Sequence, residues 1–139
     1  MTTADELPVY LRDLAPREST YTIVSVDDHV VEAPDTFVGR LPASLQERAP
    51  RVVDLPAGTH VDRSHQGLPD LVIGAVGREA WLYEGRIYAQ VGLNAVAGHT
   101  DYAALRYEPT TFAEMRPGCF QPRARVRDMD IAGIWASIN

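Results

Sequence analysis

Asp27 and His29 stand two positions apart at the end of the apolar run Tyr21-Thr22-Ile23-Val24-Ser25-Val26. On an extended strand, side chains two apart point the same way, so a carboxylate and an imidazole lie side by side while Asp28 points to the opposite side. Zinc and related divalent ions accept both ligand types, and a catalytic zinc usually takes three protein ligands plus water. Asp27 and His29 are therefore half a metal site. The same spacing also fits a plainer use, with Asp27 capping a turn and His29 hydrogen-bonding locally. Spacing alone does not choose between the two.

The other reactive side chains point to less. His60 and His65 flank Asp62 in a polar loop, and His99 follows Gly98; each suits a solvated loop or turn as readily as a ligand. Cys119 is the only cysteine, so it has no internal disulfide partner. With no local sign of a base beside it, it reads as a small buried hydrophobe. No P-loop, GxGxxG or CxxC is present. No spacing identifies a catalytic acid, base or nucleophile.

The elements that must position these residues follow from pattern. The run 21–26 is short, β-branched and continuously apolar, as strands buried on both faces are. Asp35 suits the opening of a turn that stops near Gly39, and Pro42 the first turn of a short helix through Arg48. Residues 54–78, punctuated by Gly and Pro, read as a long loop with Leu71-Val72-Ile73 as a weak strand. Residues 80–90 read as a β-hairpin, with aromatic and β-branched residues on either side of Glu84-Gly85. Thr111 and Glu114 fit a capping box that Pro117-Gly118 cuts short. A helix is expected from Pro122 through Asp130 with Gly133 just past its end, and Ile134–Ile138 as a second buried strand. Arg123, Arg125 and Arg127 read as a solvated helix face.

The resulting fold class is α/β: a first βαβ unit whose crossover holds a long inserted segment with a β-hairpin. Residues 1–20 form an irregular arm and 21–139 the domain proper. The two end strands are expected to pair in parallel, and the insertion to be poorly packed.

Composition excludes several classes. The chain has 139 residues, 45% hydrophobic and 23% charged, which suits one soluble domain. Its net charge is −6, and its 13 basic residues, all arginine, are scattered. Nucleic-acid binding needs a clustered basic face, so that role is not expected. No apolar run is long enough to span a membrane, and residues 1–20 have no signal-peptide core. A cytoplasmic location is the resulting expectation.

Several blocks in order give a family resemblance: SVDDHVVEAPDTFVGRLPASLQERAPRVV, EAWLYEGRIY, VGLNAVAG and MRPGCFQPRARVRDMDIAGI. Together they cover about residues 21–139 and resemble the N-terminal part of amidohydrolase-superfamily proteins. The group is the metal-dependent hydrolases and decarboxylases related to aminocarboxymuconate-semialdehyde decarboxylase. Residues 58–76 depart from that pattern by being longer. The resemblance implies a (β/α)8 TIM barrel whose first strand carries His-x-His, or Glu-x-His, on a divalent metal. Asp27 and His29 match those positions as metal ligands, with zinc or manganese as the ion in full-length relatives. It also implies a small carboxylate substrate, and further ligands and a catalytic base drawn from later strands. A barrel of that type takes about 250 residues, so the expectation is an incomplete barrel, inactive alone and binding metal weakly or not at all by itself. The alternative is a non-catalytic remnant or split subunit that joins a complementing chain, or another copy, through exposed strand edges.

Overall fold

The structure, a computed structural model, describes residues 12–16, 18, 20–75, 77–89, 96–98 and 111–138. His99, most of the 1–20 arm and most of the VGLNAVAG block lie outside the described residues. The chain order is β1 (Val24–Ser25), α1 (Ala43–Gln46), β2 (Arg51–Leu55), β3 (His60–Val61), β4 (Leu71–Val72), β5 (Arg78–Tyr83), β6 (Arg86–Tyr88), α2 (Pro122–Ala132) and β7 (Ala136–Ser137). Short 3₁₀ turns occupy Ser64–Gln66, Phe112–Glu114 and Pro117–Cys119.

Three separate sheets form among the described residues, ordered β1-β7, β2-β5-β6 and β3-β4. Only the first is parallel, with Val24 opposite Ala136 and Ser25 opposite Ser137. The other two are antiparallel. This corrects the expectation of an incomplete (β/α)8 TIM barrel. The described residues hold mixed small sheets and two α-helices, one of only four residues. No third strand joins the parallel pair among them. The physical reason lies in the segment between the paired strands. Its apolar residues alternate along antiparallel strands and bury against one another, instead of adding parallel strands to β1 and β7.

The hairpin follows most directly from its local sequence. Glu84 and Gly85 both take positive φ, 48° and 77°, as a two-residue turn matching strand twist requires. That turn sets the register Tyr83↔Arg86, Leu82↔Ile87 and Trp81↔Tyr88. On its other side β5 pairs with β2, a strand unrecognised in the sequence pattern, placing Val53 opposite Ala80 and Val52 opposite Trp81. Alternation along a strand sends neighbours to opposite faces. Ala80, wholly buried, joins Leu55, Val61, Ile73 and Ala89 on one side. Trp81 and Val52 pack on the other with Phe112, Met115 and Cys119. The aromatic members meet edge-on: Trp81 and Phe112 with centroids 6.5 Å apart, Phe112 and Phe120 at 5.3 Å.

The insertion is thus the packed part of the molecule, contrary to expectation. The parallel pair is the exposed part. Val24 is 44% exposed, Val26 73%, Trp135 74% and Ile138 61%.

Helix α2 begins at Pro122, whose fixed φ suits a first-turn position. It ends at Gly133 in the left-handed region, φ 71°, where the Gly133 and Ile134 amides donate to Asp130 and Met129 carbonyls. Its arginines are not simply a solvated face, as expected. Arg125 is ion-paired to Asp28, and Arg127 lies 3.2 Å from Asp13.

Candidate functional site

The parallel ladder is short but regular. The Trp135 and Ala136 amides donate to the Ile23 carbonyl, and the Ile138 amide to Ser25. Beyond Ser25 the chain leaves the ladder, so Asp27 and His29 sit on irregular backbone just past the carboxyl end of β1, not on the strand itself. Their side chains still converge. Asp27 Oδ1 and His29 Nε2 are 3.7 Å apart, with the carboxylate 93% and the imidazole 64% exposed. That separation exceeds a hydrogen bond. Two ligands on one tetrahedral ion, each about 2.0–2.1 Å from it, sit about 3.3 Å apart, so a few tenths of an ångström would close the pair onto an ion.

Asp28 turns the other way, into the protein. Its Oδ2 accepts the Ser137 hydroxyl at 2.5 Å and lies 2.9 Å from Arg125 Nη2. The Ser137 hydrogen bond, with help from Ser25 and Arg125, holds its carboxyl below the usual value against the opposing pull of desolvation. Asp28 thereby ties the loop after β1 to both β7 and α2. Two residues past His29, the Val31 amide donates to the Cys119 carbonyl at 2.8 Å. Asp27 and His29 are therefore exposed side chains on a backbone fixed on both sides.

The anchor below is a charged platform. Arg116 donates to both carboxylate oxygens of Asp128, Nε to Oδ2 at 2.8 Å and Nη2 to Oδ1 at 2.7 Å. Its Nη2 also reaches Asp13 at 2.7 Å, and these carboxylates push the guanidinium's pKa further up. Asp13 belongs to the expected irregular arm, so that stretch is docked at this point. Cys119 lies buried beside the platform, and burial, reinforced by the Asp128 charge, pushes its thiol up. A protonated, enclosed thiol is a packing residue and no nucleophile.

Among the described residues, neither His60 nor His65 comes to Asp27. His60 Nε2 lies 3.2 Å from Asp70 Oδ2 on the small β3–β4 ladder. His65 packs edge-on against Tyr88 with centroids 4.9 Å apart, and Asp62 accepts the Ser64 amide. Among the described residues no three His, Cys, Asp or Glu side chains group as a metal site. Also among them, no helix is long and apolar enough to cross a membrane.

Sequence reasoning set Asp27 and His29 side by side with Asp28 on the opposite side; that this side faces inward is seen only in the structure. It missed Arg125, Ser137 and the Arg116–Asp128–Asp13 platform. The one available signal was Asp28 itself, an ionisable group on the opposite side from Asp27 and His29, where burial demands a partner. No protein-family model matches the chain, and no curated protein matches it.

Proposed function

We propose that Asp27 and His29 are two ligands of a divalent-metal centre, zinc or manganese, in a hydrolase or carboxy-lyase acting on small carboxylate substrates. The observation that carries this is the convergence of Oδ1 and Nε2 to 3.7 Å, both solvent-accessible, on a backbone clamped through Asp28 and Val31. The donor chemistry fits, since a carboxylate oxygen and a neutral imidazole nitrogen both ligate zinc or manganese. Two protein ligands are short of a complete shell, so on this reading a complementing chain supplies the others. When bound, such an ion supplies Lewis-acid polarisation of a substrate oxygen and acidification of bound water. This chain's own share is to orient the two ligands. The amidohydrolase-superfamily resemblance of the SVDDHVVEAPD block supports the same reading.

The test is calorimetric titration of the chain with Zn²⁺ and Mn²⁺, beside an Asp27→Asn/His29→Ala variant. Both side chains are exposed, so the variant keeps its fold. Weak, saturable binding lost in the variant is expected. Identical heats from the two proteins would refute the assignment.

A second reading rests on the exposed parallel pair. Val26, Trp135 and Ile138 leave an apolar surface flanked by free strand edges, the kind of surface on which another chain pairs. On this reading the chain is a non-catalytic subunit or remnant. Monodisperse monomer at high concentration, with no partner recovered from its source, would count against it.

A further inference from the structure

The opposite end of the parallel pair carries a second feature. Tyr21 and Thr22 lead into β1 and Gly133 to Trp135 lead into β7, so both strands begin together at the end away from Asp27 and His29. Between them and the docked arm lies a cleft of about 400 Å³, lined by Pro16, Tyr21, Asp130, Ile134 and Trp135 among others. That volume falls in the range of small-ligand sites.

Three independent properties of this cleft favour the same kind of ligand. Trp135, 74% exposed, lines the cleft beside Tyr21, and aromatic faces attract cations. The C-terminus of the 11-residue α2 opens at the cleft, bringing the negative end of its dipole. Among the described lining residues Asp130 is the only Asp, Glu, Lys, Arg or His, and it brings a carboxylate to the cleft. Helix C-termini normally recruit Lys, Arg or His. The last turn of α2 holds none, and an aspartate stands there instead, against the dipole. A cation with an apolar body would relieve that arrangement and cover the rings.

We propose that this cleft binds a small organic cation of the substituted-ammonium class. The aromatic rings take its alkyl groups, while Asp130 and the helix terminus take its charge. This site is independent of the metal assignment, since it shares no residue with it.

The test uses choline as probe and 3,3-dimethylbutan-1-ol, of matching shape without the charge, as control. Indole N–H signals are followed by NMR in the ¹⁵N-labelled chain at constant ionic strength, the Trp135 signal being identified by its loss in Trp135→Phe. Choline is expected to shift that signal saturably, and the neutral control to bind about tenfold more weakly or not at all. Asp130→Asn removes a charge that opposes the helix dipole, so it keeps the fold, and it should weaken choline about tenfold. No saturable shift, equal binding of the neutral control, or unchanged affinity in Asp130→Asn would each overturn the proposal.

Discussion

Gly118→Ala should be among the most damaging single-methyl additions in this protein, although it touches no apolar core. Gly118 is buried, and a Cβ placed on it would lie 1.9 Å from Asp128 Oδ2 and 2.8 Å from Asp128 Cγ. To restore ordinary contact near 3.4 Å the carboxylate must retreat by about 1.5 Å, because non-bonded carbon and oxygen do not approach so closely. That retreat stretches the Arg116 Nε–Oδ2 contact from 2.8 Å beyond hydrogen-bonding range. The pair is one-fifth exposed on each side, so solvent softens the loss. A charge-assisted hydrogen bond contributes roughly 1.5–3 kcal/mol when shielded, and overpacking costs roughly 1–3 kcal/mol. After discounting for exposure, the combined cost is about 2–3 kcal/mol, or roughly 6–10 °C in Tm for a domain of this size. Urea unfolding followed by far-UV circular dichroism measures it. The decisive comparison is a cycle with Asp128→Ala. Once the carboxylate is gone the added methyl meets nothing closer than the Ala124 carbonyl at 3.5 Å. The double variant should then be about as stable as Asp128→Ala alone. Additive costs, or a Gly118→Ala protein within about 0.5 kcal/mol of wild type, would refute this account of the platform.

Ile73→Ala should cost about 2–5 kcal/mol in the same assay, because Ile73 is fully enclosed in the cluster around β5. Val26→Ala, at an exposed position, should stay within about 0.5 kcal/mol of wild type. Asp28 has a folded-state pKa depressed below its ordinary 3.8, so its stabilising contribution is complete above that value and disappears as pH falls through the depressed one. Thermal unfolding below about pH 4 should therefore show wild type losing ground to Asp28→Asn, and parallel pH profiles would contradict this. Cys119, buried with its thiol pushed up, should resist a disulfide reagent at pH 8 in the native state and react fully in denaturant; fast native labelling would mean an open site.

Local chemistry was legible in the sequence, and distant partnership was not. Glu84-Gly85 announces a tight turn between aromatic strands, and Pro122 with Gly133 brackets a helix, because each feature is decided within a few residues. The parallel relation of the two end runs was also legible from their apolar, β-branched character. β2 escaped notice because Arg51-Val52-Val53-Asp54-Leu55 is too short to distinguish from loop until β5 lies beside it. The barrel expectation failed for a related reason: an apolar run marks a strand that gains from cover without showing which element supplies it, and Val24, Val26, Trp135 and Ile138 stay exposed. At the site, spacing put Asp27 beside His29 and turned Asp28 away. The Arg125 and Ser137 that receive Asp28 lie on the far side of the chain, and no local pattern links them to it.

The link between those two ends also bears on the order in which the molecule assembles. Asp28 and Ser137 are 109 positions apart, and the ladder beside them is two residue pairs long. Closing a loop of that length costs about 4 kcal/mol of chain entropy, against roughly 0.5–1.5 kcal/mol returned by each backbone hydrogen bond of the ladder. The sheets around β5 pair strands close in sequence and can form first, leaving the terminal ladder to zip last. In the native ensemble the same ladder is the first part to open, with amides that exchange long before those of Ala80 or Leu82. Asp27 and His29 ride on this late, weakly protected unit. Whatever grips them, or covers the strands beside them, would therefore act as a staple on the last step of folding.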